Sequence, residues 1–414
     1  MHGGDLIFRV RTVGERKKGV NALNLQEYKT TVDRIIQEEI EAGRIAGACA
    51  LVLLKGGELY AGASGYADLE KKIPMKRDTI FRLFSLTKPI TSAAVMLLAE
   101  RGLLELSDPL SRYLPQFAGM QVWKGPGRIE KASREITLWD LMNMLSGITG
   151  PGGVTEPGLE MERIYRELIG RRLCGERVDT QEYLRRIAEV PLLNQPGEKW
   201  MYGLSADVLG GVVEIVSDMR FGDFLQKELF TPLDMPDTGF FVPAEKRGRL
   251  AQIYQWNAEG QRLLPYTGCF LGEYYGEDVA FESGGAGLAS TVDDYSHFAC
   301  MMLQKGSWKG RRILGKRTVE FMTQNRLSPA QLVDFSWDAL RGYGYGCLMR
   351  VLTDQTALRA NASPGEYGWD GWTGTYVSMS PADELAVLYF IQRCGAGTTE
   401  AVRKIRAASY GMVE

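Results

Sequence analysis

Apolar residues at Leu25, Tyr28, Val32, Ile35, Ile36 and Ile40 recur at helical spacing and predict an amphipathic helix over Leu25–Glu41, stopped by Gly43. A helix with one apolar stripe needs a sheet or another helix to cover it. The sheet begins at once. The apolar run Gly47–Leu54 is followed by Lys55-Gly56-Gly57 and a return through Glu58 to Ala61, which is a hairpin pattern. Beyond Ser85, the residues Ile90, Ala94, Val95, Leu97 and Leu98 form a largely apolar helix that runs to Arg101 and ends at Gly102. Such a helix is buried on most sides.

From about residue 103 to 280 the pattern changes to short helical segments and long polar connections. Leu138 to Leu145, Gly158 to Arg172, Thr180 to Ala188 and Ser205 to Val216 read as helices, and the charged, glycine-containing stretch Trp123 to Glu135 reads as an exposed loop. Strand character returns with Thr375 to Ser380, a turn at Pro381-Ala382-Asp383-Glu384 and Leu385 to Gln392, before a closing helix over Thr398 to Ala408. Both ends of the chain are therefore expected in one antiparallel sheet. The fold class is α+β: an antiparallel sheet flanked by N- and C-terminal helices, with a large inserted helical domain. The expected sheet domain is discontinuous, residues 20–100 and 281–414, and residues 101–280 form the insertion.

The length of 414 residues suits two structural domains, or one with a large insertion, and allows a cleft between them. With 49 basic and 51 acidic residues intermixed, the net charge of −2 gives no electrostatic footprint for nucleic acid or anionic membrane. Arg16, Lys17 and Lys18 are too short a basic patch to change that. No apolar run reaches the roughly eighteen residues of a membrane span, and the first twenty residues lack the apolar stretch of a signal peptide. A soluble cytoplasmic protein acting on a small molecule is expected; the oligomeric state is not encoded in any of these patterns. The six cysteines are scattered without a C-x-x-C pair or a neighbouring histidine, so reduced, mostly buried thiols are expected and no metal or cofactor is implied.

The chemistry must also work almost without histidine, since only His2 and His297 are present and His297 lies in a helix-like segment that suits a structural role. A lipase-type hydrolase would need a G-x-S-x-G elbow and a histidine, and no such pentapeptide occurs. Ser85-Leu86-Thr87-Lys88 offers another route. Residues three apart share a helix face, so the Ser85 hydroxyl and the Lys88 amine come within hydrogen-bonding reach. A serine is a weak nucleophile until a neighbour takes its proton, and a lysine does so when its surroundings favour the neutral amine. A chain of this length carries on the order of one or two S-x-x-K strings by chance, so the rest of the chain decides.

Two further stretches supply the company. Pro196-Gly197 followed by Tyr202 delivers a phenol at the start of an apolar helix, either as an acid–base group beside the lysine or as an interface tyrosine with a satisfied hydroxyl. Gly368-Trp369-Asp370-Gly371-Trp372-Thr373-Gly374-Thr375 is a glycine-punctuated edge leading into a strand. It serves either as a tight aromatic turn or as the place where the Trp372 amide pairs with the Ser85 amide in an oxyanion hole. The glycine run Gly284–Gly287 is not a phosphate loop, because no Gly-Lys-Ser/Thr follows; a close-packed strand beside the active helix is expected there.

Taken in order, these elements resemble the serine β-lactamase-like superfamily, in the branch that holds class C β-lactamases, certain penicillin-binding proteins and family VIII carboxylesterases. The resemblance spans nearly the whole chain and includes Asp108-Pro109-Leu110, Leu145-Ser146-Gly147 and Gly284 to Thr291 besides the stretches above. It implies Ser85 as the acylated nucleophile, Lys88 as proton acceptor and Tyr202 as general base or as acid toward the leaving group. The backbone amides of Ser85 and Trp372 become the oxyanion hole. Leu204 stands where such enzymes usually carry the Asn of Tyr-x-Asn, and Trp369-Asp370-Gly371 stands where they carry Lys-Thr-Gly. Leu204, Trp369, Asp370 and Gly371 are therefore the expected substrate-binding residues. Loss of a lysine and gain of an aspartate disfavour a carboxylate-bearing substrate, since like charges in a partly desolvated site repel by roughly several kcal/mol. The reading is a serine hydrolase acting through an acyl-enzyme on small or medium uncharged esters. Its alternatives are a β-lactamase, D-amino-acid peptidase or acyltransferase of the same fold and, from another class, a catalytically silent binding protein.

Overall fold

In the computed structural model, which describes residues 22–268 and 279–414, the apolar run Gly47–Leu54 forms strand β1 and is buried along almost its full length because it pairs on both edges. One partner is β2 (Gly57–Asp68), which leads into β3 (Ile73–Pro74). The others come from the far end of the chain: β4 (Tyr343–Gly346), β5 (Met349–Leu352), β6 (Tyr367–Asp370), β7 (Tyr376–Ser380) and β8 (Leu385–Phe390). They form one eight-stranded sheet in the order β4-β5-β6-β7-β8-β1-β2-β3, with every neighbouring pair antiparallel. The first and last strands meet in its middle, in register from Cys49 opposite Phe390 to Leu54 opposite Leu385.

The helices that cover the sheet and build the site are α1 (Ala22–Glu41), α2 (Lys88–Glu100), α3 (Leu138–Met142), α4 (Glu156–Leu173), α5 (Thr180–Ile187), α6 (Ser205–Ser217), α7 (Val292–Leu303) and α8 (Glu400–Tyr410). Strand alternation sorts them onto two faces. Tyr389 of β8 lies opposite Tyr376, whose hydroxyl meets Arg406 of α8. Phe390, one residue on, turns the other way and packs against Phe81 and Tyr295 of α7. The terminal helices close on each other through a buried hydrogen bond of 2.9 Å between Tyr28 and Ser409. Glu366 then ties α8 to the sheet edge, accepting from Tyr343 and Tyr410 at 2.7 Å each and from Arg406 at 3.2 Å. A buried carboxylate is tolerated when it is paired in this way.

Helix α2 is the centre of the molecule. Every residue from Lys88 to Leu98 is buried, as its largely apolar sequence requires. The α+β architecture and the antiparallel sheet agree with the sequence reading, but several details differ. Trp123 to Glu135 is not a loop throughout: Gln121–Trp123 pairs with Ile129–Lys131 in a short hairpin whose outward residues, apart from Ile129, are polar, which is why it reads as solvated sequence. The run Gly284–Gly287 is a turn and not a strand, held by the Gly284 carbonyl accepting from Thr91 at 2.7 Å and the Gly285 carbonyl accepting from Lys88 at 2.8 Å. The thiols are also more mixed than expected. Cys49 and Cys347 are buried and Cys174 is exposed, while Cys269 lies outside the described residues. Among the described residues no helix is long and apolar enough to cross a membrane.

Candidate active site

Ser85 sits in a single 3-10 turn, Phe84–Thr87, that runs directly into α2. Phe84 holds φ at +48°, a conformation that bulky side chains rarely adopt and that surrounding contacts must enforce. Leu86 and Thr87 are buried on either side of the helix start, and Ser85 is left half-buried. Three residues later, on the same face, Lys88 is only 4% exposed. Its ammonium donates to Ser85 Oγ at 3.0 Å and to the Gly285 carbonyl at 2.8 Å, and it lies 4.6 Å from the centre of the Tyr202 ring. A buried cation needs such partners, and the ring face adds attraction from its quadrupole.

Tyr202 reaches this point because its turn docks on the segment around Ser146. Gly197 and Met201 donate to the carbonyls of Leu145 and Met144, each at 2.8 Å, and Ser205 meets Ser146 at 2.8 Å. Gly203 lies so close to this segment that a Cβ on it would stand 2.0 Å from the Ile148 carbonyl oxygen, so no larger residue fits without moving the tyrosine. The chain then enters α6, with Leu204 at its start packed against the hydrophobic core. Five residues beyond Tyr202, the carboxylate of Asp207 is buried. It accepts from Gly285 N–H at 3.2 Å and from the Ser283 hydroxyl. Burial pushes its pKa above the ordinary carboxylate value, against the pull of Ser283 and of the Lys88 charge.

The third wall is β6 and the turn after it. The Trp369 indole, 2% exposed, donates from Nε1 to the Tyr202 hydroxyl oxygen at 3.2 Å and stacks on the Tyr202 ring with centroids 5.8 Å apart. Asp370 does not present a lone negative charge to the cleft, as the charge argument supposed. Arg350, itself 2% exposed, donates to its carboxylate at 3.0 Å, so the family's lysine is replaced here by a neutral indole and a neutralised ion pair. The turn that follows is fastened to the serine segment: Thr375 Oγ1 donates to the Leu83 carbonyl at 2.9 Å, and the Trp372 and Phe84 rings meet edge to face at 5.4 Å. A Cβ on Gly371 would stand 2.2 Å from that same Leu83 oxygen, which is why glycine stands there.

A serine and a buried lysine from one turn meet a tyrosine from a distant segment of the chain here. The family model described as Beta-lactamase matches residues 32–411. The chain belongs to the beta-lactamase family. An uncharacterized protein of Mycobacterium tuberculosis is 34% identical over 368 residues, 87% of this chain and 88% of that protein. Esterase EstB of Burkholderia gladioli is 29% identical over 391 residues, 89% of this chain and 91% of the esterase. Among solved structures, EstCE1, a hydrolase with promiscuous acyltransferase activity, superposes with a TM-score of 0.79 at 26% identity, covering 94% of this chain and 100% of that one. As a member of this family the protein is a serine hydrolase.

At this site the structure brings together Ser85, Lys88, Tyr202 and Trp369, and sets Gly371 and Trp372 against the serine turn. Leu204 and Asp370 are drawn instead to the core and to Arg350. Trp123, at the start of the stretch read as a loop, is tied by its indole to Glu156 at 2.9 Å, at the start of α4. Two participants escaped the sequence reading. Asp207 had a signal, a carboxylate inside an otherwise apolar helical run. Trp337, whose ring meets Tyr202 edge to face at 5.2 Å, had none.

Proposed function

We propose that the protein is a carboxylesterase that hydrolyses uncharged esters through an acyl-enzyme on Ser85. The observation that carries this reading is the contact of 3.0 Å between the Lys88 amine and Ser85 Oγ in a site where Trp369, not a lysine, reaches the Tyr202 hydroxyl. The amine sits where it can hold the serine proton, and the ring of Tyr202 lies against it. Ser85 Oγ bonds to the ester carbonyl carbon while its proton passes to Lys88, which reacts as the neutral amine, and from there toward Tyr202. The oxyanion is received by the backbone amides of Ser85 and Trp372. Collapse breaks the bond to the alcohol, which leaves with the proton supplied from Tyr202. Water then attacks the acyl-serine by the reverse proton path and releases the acid.

An indole and a neutralised Asp370–Arg350 pair offer nothing to a substrate carboxylate, which favours esters over carboxylate-bearing β-lactams and peptides. The similarity to Esterase EstB supports the same choice. Acyl transfer to an alcohol is the second reading, supported by the structural likeness to a hydrolase with acyltransferase activity. The test is incubation of wild type and Ser85→Ala with a fluorophosphonate, aryl esters and a chromogenic cephalosporin. A single adduct on wild type, with ester turnover and little cephalosporin turnover, is expected. Ester turnover that survives in Ser85→Ala refutes the assignment. A competing alcohol that diverts the acyl group from free acid to new ester selects the second reading.

A further inference from the structure

Among the described residues, the Tyr202 ring meets the Lys88 amine, the stacked Trp369, Trp200 with its centroid 6.0 Å away, and Trp337 at 5.2 Å. Trp200 and Trp369 are 4% and 2% exposed, whereas Trp337 is 48% exposed. Of these three tryptophans only Trp337 offers a broad indole surface to a molecule arriving beside the tyrosine. Its position is also fixed. Phe335 and Leu340, either side of it, are buried, Phe335 meets Trp200 edge to face at 4.7 Å, and Trp337 itself meets Trp200 at 5.5 Å. The same segment is pinned farther back by Gln331, whose amide donates to the Gly197 carbonyl at 2.7 Å, beside the turn that carries Tyr202. An aromatic surface held in place before substrate arrives binds at little entropic cost.

We propose that Trp337 is the specificity-determining wall for the leaving alcohol, and that the preferred substrates are esters of bulky, aromatic-sized alcohols. This rests on the esterase reading above. There the alcohol oxygen must lie at Tyr202 to collect its proton, so the body of the alcohol extends over the neighbouring indole. The acyl group, bonded to Ser85, is left to the flank where Trp372 packs on Phe84. The placement has a kinetic consequence that separates it from a general effect on folding. The alcohol departs when the acyl-enzyme forms, so Trp337 acts on acylation and has no part in deacylation.

The test uses phenyl and 2-naphthyl acetate, which deliver the same acetyl group and have leaving groups of closely matched basicity. Wild type, Trp337→Ala and Trp337→Phe are compared for kcat/KM on each ester and for the rate at which a common acetyl-enzyme breaks down. Wild type is expected to favour the naphthyl ester. Trp337→Ala is expected to lower the naphthyl-to-phenyl ratio on the order of fivefold, from the loss of one aromatic contact, with Trp337→Phe between them and the breakdown rate unchanged. An unmoved ratio overturns the assignment, as does a change confined to breakdown of the acetyl-enzyme. If ester turnover survives in Ser85→Ala, the esterase reading itself falls, and this assignment with it. Ser85-dependent turnover with an unmoved ratio removes only the role of Trp337.

Discussion

Replacing Trp369 with phenylalanine tests whether the indole N–H assists proton transfer through Tyr202. The substitution keeps a six-membered ring for stacking on Tyr202 and deletes the donor that reaches its hydroxyl oxygen at 3.2 Å. A hydrogen bond to a group that carries negative charge is worth about 1.5–3 kcal/mol, and at about 1.36 kcal/mol per tenfold that is about 10- to 150-fold in rate. The contact is longer than the usual N–H···O distance of about 2.9–3.0 Å, so the lower part of that range is expected, about 10- to 30-fold in kcat/KM. Because Trp369 is 2% exposed, the missing half of the indole also leaves a cavity that costs about 1–3 kcal/mol of stability. Thermal unfolding is therefore measured alongside, and rates are taken well below the midpoint. The decisive comparison is between an aryl and an alkyl ester of one acid. An aryl oxide leaves more readily than an alkoxide and so depends less on the proton that Tyr202 delivers. The loss should be greater for the alkyl ester. Equal losses on both esters, or none beyond the unfolded fraction, would refute a role for the indole in proton transfer.

Two other perturbations bear on the frame around the site. Gly371→Ala forces a Cβ to within 2.2 Å of the Leu83 oxygen and must push the Trp372 turn away from Ser85. A fall of roughly 10²–10³ in kcat is expected if the Trp372 amide stabilises the oxyanion, and near-wild-type kcat in a folded Gly371→Ala protein would exclude that amide. Asp294, on α7, accepts from the Asp237 amide at 2.7 Å and from Thr238 at 2.9 Å, yet burial pushes its pKa up to about 6. The folded state thus holds the proton more tightly than the unfolded chain. Its stability contribution is full below about pH 4 and is lost as pH rises toward about 6, on the order of 3 kcal/mol in total. Denaturant unfolding of Asp294→Asn should lack this decline; the same decline in both proteins would assign it elsewhere.

What the sequence reveals of this site depends on how local each contact is. The Ser85–Lys88 pair lies within one helical turn, so spacing alone places the two groups together. The Trp369 to Tyr202 contact joins positions 167 residues apart, and no periodicity brings them together; only family resemblance aligned them. Trp337 belongs to an irregular segment whose placement comes from Phe335 against Trp200, a packing event without a local signature. Strands β4 and β5 were missed for a different reason. All eight of their residues are buried, so they lack the alternation of a half-exposed strand. Their two-residue turn is Cys347-Leu348, both at positive φ, where a hairpin signal would be Asn-Gly. Tertiary contacts offset that strain: the Leu348 amide donates to the Met142 carbonyl at 2.8 Å and the Cys347 amide to Asn143 at 3.2 Å.

The same geometry suggests how one fold changes substrate without losing its proton machinery. A lysine at the position of Trp369 would serve two ends, a donor to the Tyr202 oxygen and a positive charge for a substrate carboxylate. Tryptophan keeps the first, since its Nε1 points at that oxygen, and gives up the second. Asp370, next in the strand, does not reverse the sign of the site, because Arg350 lies beneath it at 3.0 Å. Nor does it leave the pair's charge mobile: Arg350 is held from behind by the Val377 carbonyl at 3.1 Å and by the Tyr376 ring, 4.6 Å from its guanidinium. Among the described residues Lys88 is the cation that touches Ser85, and its contacts with Ser85, the Gly285 carbonyl and the Tyr202 ring place it for the proposed proton transfer rather than for substrate binding. Selection among esters falls by default to shape and aromatic surface, the property that Trp337 and Trp372 contribute at the rim.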